Sequence, residues 1–226
     1  MQYPRQGSNK PAALPLPSFP LGRYRGFSTG FLRLTLILAS ASAIRADMLA
    51  AAGVAVEVAP ANIDEAAAKA RYLDPAALAL ELAKAKAVAV SAARPGDWVI
   101  GSDSVAACGG RSFDKPASRD EAAEHLRFFS GKPLTLTSAV ALARDGQVDW
   151  SHSETATLHV RDLSDAFIHA YLGTEWPAVA GCVGVFRMEA RGVNLFDRVE
   201  GSHFSILGMP LLPLLGALRE RALLPS

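Results

Sequence analysis

Residues 36–54 read LILASASAIRADMLAAAGV, and the fold class follows from how that stretch is laid out. An apolar strand passes through small hydroxyl residues straight into a helix that Gly53 stops. A strand that feeds a helix so directly is the opening unit of an α/β protein. The same layout builds a place for an anion. Free N–H groups at a helix start, the positive end of its dipole, the hydroxyls of Ser40 and Ser42 and the guanidinium of Arg45 converge there. A serine beside a helix start is equally an ordinary N-cap, so this stretch alone leaves both readings open.

Working outward, strand-like and helix-like units alternate. VAVEVAP reads as a second strand. Asp74 and Pro75 open a long helix through Ala93, with a capping residue followed by proline at the first helical position. WVIGSDSVAAC is a strand closing at Gly109-Gly110, and Ser118 with Glu121 form a capping box for the helix that Gly131 ends. LTLTSAVALA and QVDWSHSETATLHV flank Asp145-Gly146, the strongest short hairpin signal in the chain. SDAFIHAYLG is then a short helix, VNLFDRVEG a strand and LLPLLGALRERALL a closing helix. Alternation early and a hairpin late predict an α/β fold with a mixed parallel/antiparallel sheet flanked by helices.

With 226 residues, half of them apolar and a fifth charged, the chain can bury a substantial core as one domain, here residues 33–226. A net charge of +1 argues against nucleic acid or an anionic membrane as a stable partner. The charge is uneven, however. Residues 1–32 carry Arg5, Lys10, Arg23 and Arg25 and no acid, are rich in Pro, Gly and Ser, and are expected to form a disordered basic extension. Its bland reading is a flexible tail, with a nucleic-acid contact as a weaker idea. Two cysteines exclude a disulfide framework and a cysteine-built metal site, which suits a reducing cytoplasm. The five histidines have no paired helical spacing, so a zinc site is not expected. No apolar window is long enough to span a bilayer, because Pro210 and Pro213 interrupt the best one.

Several positions carry candidate chemistry. Asp103, in VIGSDSV, follows an apolar strand and a glycine; it reads as a general base or metal ligand, or as a turn aspartate bonding its own backbone. Asp64 and Glu65 offer acids at a second turn, or a solvated loop. Lys115 precedes Pro116 after a double glycine, so its backbone is held extended. Lys84 and Lys86 lie two apart on an Ala- and Leu-rich helix and point to different faces, so one of them faces the core side or a cleft. Glu189 sits in a Gly-bracketed loop with Arg187 and Arg191, where a surface salt bridge is the plain alternative. No nucleophile elbow, Walker loop or G-x-G-x-x-G is present.

Taken in order, these pieces resemble the Maf family of nucleoside triphosphate pyrophosphatases, also called septum formation proteins, over residues 34–222. LILASASAIR looks like the family's S-x-S-P-R-R loop, NIDE its acidic turn, LAKAKAVA its lysine helix and VIGSDSV its G-[AS]-D strand. FDKP looks like the Lys-Pro turn, LTSAVAL the T-[AG]-V-A-L strand and ILGMPLLPLL the V-G-L-P segment. The resemblance implies an inosine triphosphate pyrophosphatase-like fold with two lobes and a central cleft. It implies hydrolysis of a nucleoside triphosphate, non-canonical or modified, to monophosphate and pyrophosphate with Mg²⁺ or Mn²⁺. Asp103 would then activate water. Ser40, Ser42, Arg45, Lys84 and Lys115 would bind triphosphate, and Glu65 with Asp103 would hold the metal. Ala43 and Ile44 stand where the family has Pro-Arg. Ile44, Ser104 and Glu189 fall at positions that separate a thymidine and uridine triphosphate group from a 7-methylguanosine triphosphate group; Glu189 and the lost arginine lean to the second, while Ser104 fits neither. A homodimer is allowed, and the competing reading is a nucleotide-sensing regulator of cell division that does not hydrolyse.

Overall fold

The computed structural model describes residues 35–225; the basic extension expected over residues 1–32 lies outside them. The first strand, β1 (Leu36–Leu38), leads into α1 (Ala43–Ala51) and the short β2 (Glu57–Val58). Next come α2 (Glu65–Arg71), α3 (Pro75–Ala93), β3 (Trp98–Cys108), β4 (Arg111–Phe113) and α4 (Arg119–Phe129). The long β5 (Pro133–Arg144) and β6 (Gln147–Val160) follow, then α5 (Asp165–Glu175), β7 (Phe196–Glu200), α6 (His203–Ile206) and α7 (Leu211–Glu220). One sheet runs in the order β2-β1-β3-β5-β6-β7. Among the described residues only β2/β1 and β1/β3 are parallel, so the expected mixed α/β sheet is what forms.

Local sequence accounts for most boundaries. Asp145 and Gly146 both adopt positive φ, and they turn β5 into β6. The Ser118 hydroxyl accepts from Glu121 N at 3.1 Å, while Glu121 Oε2 accepts from Ala117 N at 2.7 Å, one residue before the reciprocal bond of a standard capping box. Among the elements that depart from the sequence reading, the strand expected in VAVEVAP spans only Glu57–Val58. Arg111–Phe113 is a strand rather than part of a loop, because Gly109 and Gly110, both at positive φ, fold it back onto β3. The strand expected in VNLFDRVEG starts only at Phe196, after a 3₁₀ turn at Arg191–Leu195.

The pairing of β3 positions the site. Along one edge β5 pairs it without a break from Trp98 to Cys108. Along the other, β1 covers Trp98–Ile100 and β4 covers Ala106–Cys108. Residues 101–105 therefore face a gap in the sheet, with Asp103 at its centre. Buried apolar clusters lie on either side of that gap. Toward β1, α3 packs one face of the sheet through Ala79, Leu82, Ala83 and Ala87, and α1 with α7 packs the other through Met48, Leu49, Leu214 and Leu218. Toward β4, α4 and α5 cover the sheet through Leu126, Phe129, Ile168 and Leu172. Strands β3, β5 and β6 run past both regions, and the cleft opens where the sheet splits.

Candidate active site

The gap opens into a cleft of about 1250 Å³ lined by residues from α1, α2, α3, β3, the β4–α4 loop and residues 181–189. Asp103 is held there by a close crossing. A Cβ on Gly101 would sit 2.1 Å from the Ala83 carbonyl oxygen and 2.6 Å from Ala87 N, so only glycine lets α3 lie this near to β3. Lys86, which lies between these two alanines on α3, is then presented to the strand. Lys86 Nζ reaches Asp103 Oδ1 at 2.5 Å and Glu65 Oε1, at the first turn of α2, at 2.7 Å. Asp103 Oδ2 takes no hydrogen bond from the described residues and is left as a free acceptor.

Here the structure corrects the choice of lysine. Lys84 pairs with Glu81 at 2.9 Å on its own helix and does not line the cleft. The signal was in the sequence: Lys86 stands four residues after Leu82 and seven after Ala79, on the buried stripe, and Lys84 is off it. Asp103 also departs from its expected setting, because it is a mid-strand residue exposed by missing pairing rather than by a strand end.

Burial by itself would raise the Glu65 carboxyl, but the Lys86 ammonium bonded to it, with Lys69 and Lys115 beyond, outweighs burial and holds it below its ordinary value. Asp64 caps α2 by accepting from Ala66 N at 2.9 Å, which leaves Glu65 directed at the cleft. Lys115 is exposed at the cleft wall and makes no hydrogen bond or ion pair among the described residues.

At the α1 end, Ser42 occupies the N-cap with no side-chain cap bond, and Ala41, Ser42, Ala43 and Ile44 all face the cleft. The first N–H groups of α1 are therefore available to an anion. Ser40 is buried, and its Oγ accepts from Ser42 N at 3.2 Å and from Arg45 Nη1 at 3.1 Å. Arg45 is more deeply committed than the sequence suggested. Its Nε donates to Gly208 O at 2.8 Å, Nη1 also to Ser102 O at 2.9 Å, and Nη2 to Ser104 Oγ at 3.0 Å. One N–H remains for a ligand. Arg45 is thus mainly a strut tying α1, β3 and the α6–α7 turn together. Burial lowers its pKa, and the nearby Asp103 and Glu65 charges oppose that. Ser104 belongs to the same strut, sharing a hydrogen bond with Ser138 Oγ at 2.8 Å.

The far wall is the loop carrying Glu189. Arg187 does not pair with Glu189; it bonds the buried Glu175 of α5 through Nε at 3.1 Å and Nη2 at 2.9 Å. Tyr171, one turn earlier, donates to Val185 O at 2.9 Å. Val185 itself has φ of 58°, an uncommon conformation for a β-branched residue. So anchored, the loop presents Glu189 to the cleft with no hydrogen bond or ion pair among the described residues. Cys182 lies beside it, with its pKa raised by burial and by the Glu189 charge.

Among the described residues no three His, Cys, Asp or Glu side chains gather as a metal-ligand set, and no helix is long and apolar enough to cross a membrane. A split α/β sheet with a carboxylate, cations and a free helix start around one cleft defines a phosphate-handling class of protein. The family profile described as Maf-like protein matches residues 35–221, and the chain belongs to that family. It is 47% identical over 191 residues to a nucleoside triphosphate pyrophosphatase of Nitrobacter hamburgensis, covering 84% of this chain and 95% of that one. A protein of that name from Sphingopyxis alaskensis is 46% identical over 198 residues, covering 85% and 100%. A 7-methyl-GTP pyrophosphatase of Rhizobium meliloti is 46% identical over 189 residues, covering 82% and 95%.

Proposed function

We propose that the chain hydrolyses a nucleoside triphosphate between its α and β phosphates, releasing a nucleoside monophosphate and pyrophosphate. The observation that carries this is the placement of Asp103 in the sheet gap, one oxygen fixed by Lys86 and the other free, facing a helix start and Lys115 across one cleft. The free carboxylate oxygen orients a water and accepts its proton as the new O–P bond forms. The bridging P–O bond breaks, and pyrophosphate leaves with the electron pair. Charge that builds on the phosphoryl oxygens meets the α1 N–H groups, Ser42, Lys86 and Lys115.

The site fits a divalent cation. Two carboxylates, Glu65 and Asp103, stand next to each other across the Lys86 ammonium that bonds both, an oxygen donor pair of the kind a hard divalent cation takes. Mg²⁺ is commonly held by one or two carboxylates, with water and substrate phosphates completing its shell. Glu65 and Asp103 would hold Mg²⁺ or Mn²⁺, which when bound supplies charge stabilisation on the triphosphate.

For the base, the unpartnered Glu189 carboxylate accepts hydrogen bonds from the N1–H and exocyclic amine of guanine, and 7-methylation adds positive charge to that ring. This favours 7-methyl-GTP over a pyrimidine triphosphate, in line with the names of the relatives from Rhizobium meliloti and Rhizobium etli. The reading makes the chain a cytoplasmic enzyme that clears modified nucleotides, which suits its two unpaired thiols. The test is a panel of canonical and modified triphosphates with Mg²⁺ or Mn²⁺, read by pyrophosphate release. Release from a guanine-type triphosphate above the pyrimidines supports the reading. Tight binding without pyrophosphate from any of them would favour the sensing alternative.

A further inference from the structure

We propose that Lys69 is a ligand of the substrate's polyphosphate tail, kept in place by Asp114 until the anion arrives; this rests on the pyrophosphatase reading above. Helix α2 has no fully buried residue; Ala68 is its one side chain packed against the core, with Ile63 and Tyr72 flanking the helix, so apolar packing holds it only lightly. Ion pairs tie it to the cleft instead. Glu65 is bound to Lys86 of α3, and Lys69 Nζ lies 2.6 Å from Asp114 Oδ1 and 3.9 Å from Glu65 Oε2.

The Lys69–Asp114 pair joins α2 to the β4–α4 loop, the two walls on either side of the sheet gap, and Asp114 is the neighbour of Lys115. Lysines and carboxylates therefore alternate around the cleft, with Lys86 between Asp103 and Glu65 and Lys69 between Glu65 and Asp114. The Asp114 side chain is 72% exposed, and exposed pairs are held weakly. A triphosphate carries several charges where Asp114 carries one, so exchanging the carboxylate for phosphate oxygens is favourable. The exchange also brings Lys69 and Lys115 onto the same anion. The bonded Asp114 carboxylate raises the Lys69 pKa further, so the lysine is a full cation at neutral pH.

The experiment is calorimetric titration of the full chain with inorganic tripolyphosphate, comparing wild type with Lys69→Ala, Asp114→Asn and Lys84→Ala, the last removing the same charge from outside the cleft. Loss of one charge-assisted, partly exposed contact predicts binding about five- to tenfold weaker in Lys69→Ala. Asp114→Asn removes the competing anion and tightens binding, and Lys84→Ala stays within about twofold of wild type. An ion pair that merely braces the cleft predicts the opposite pattern, because Lys69→Ala and Asp114→Asn break the same contact and would shift binding in the same direction. That result, or unchanged affinity in Lys69→Ala, overturns the role of Lys69 and leaves the pyrophosphatase reading intact. Failure of the wild-type chain to bind tripolyphosphate overturns both.

Discussion

Replacing Gly101 with alanine adds one methyl group at the point where α3 crosses β3. That carbon would stand 2.1 Å from the Ala83 carbonyl oxygen and 2.8 Å from Ala87 Cβ, so the helix must withdraw by about 1 Å to reach ordinary contact. Neither neighbour is a flexible side-chain end; one is helix backbone and the other a fully buried alanine. Overpacking of this kind costs about 1–3 kcal/mol, which for a domain of this size lowers Tm by roughly 3–10 °C. The functional loss should be larger in proportion. Lys86 follows Ala83 by three residues on the same helix, and a shift of about 1 Å breaks its 2.5 Å contact with Asp103. Misplacement on that scale costs about a hundredfold in turnover. Thermal unfolding and pyrophosphate release on the same preparation measure the two effects. An alanine variant with wild-type Tm and wild-type turnover would refute the claim that this crossing positions the catalytic pair.

Lys86→Met keeps the length of the side chain but leaves Asp103 and Glu65 facing each other without their shared cation; turnover should fall about a hundredfold or more, whereas Lys84→Met should stay within about twofold. Equal losses in a side-by-side rate assay would refute the distinction drawn between the two lysines. His125 supplies a pH test. Its side chain packs edge-on against Phe113, its Nδ1 is buried without a hydrogen bond, and burial lowers its pKa below 6.5. The unfolded chain therefore binds this proton at a higher pH than the folded one. Stability from this residue is complete above pH 6.5 and declines as pH falls from there toward the lower folded value. His125→Leu should flatten that part of the stability-against-pH curve and stabilise by about 1 kcal/mol near pH 6. Urea unfolding across pH 5–8 reads both effects, and an unchanged slope would count against a neutral His125 with its Nδ1 buried.

The elements that sequence reading places well are those whose signals are local. The α3 cap at Asp74-Pro75, the Asp145-Gly146 turn and the Ser40–Gly53 strand-to-helix passage each follow from residues within a few positions. β4 is the counterexample. Arg111–Phe113 has three residues and no periodicity of its own, and it is a strand only because β3 lies beside it. The site divides in the same way. Asp103, Glu65, Lys115 and Glu189, each picked out by a short local pattern, line one cleft. The committed state of Arg45 was not readable, because its acceptors Ser102, Ser104 and Gly208 lie 57, 59 and 163 residues away. The Lys69–Asp114 pair, 45 residues apart, depends likewise on the way the sheet splits. Lys86 is different: the stripe through Ala79, Leu82 and Ala83 marked it, and counting the helical repeat recovers it.

If the carboxylate in the sheet gap takes the proton of the attacking water, Asp103→Asn removes that step. The asparagine matches the side chain in shape and cannot accept that proton. Single-turnover pyrophosphate release under saturating triphosphate should slow by about a hundredfold or more, while triphosphate affinity, carried by α1, Lys86 and Lys115, stays within about tenfold of wild type. Release at the wild-type rate by Asp103→Asn would mean that Asp103 is not the base.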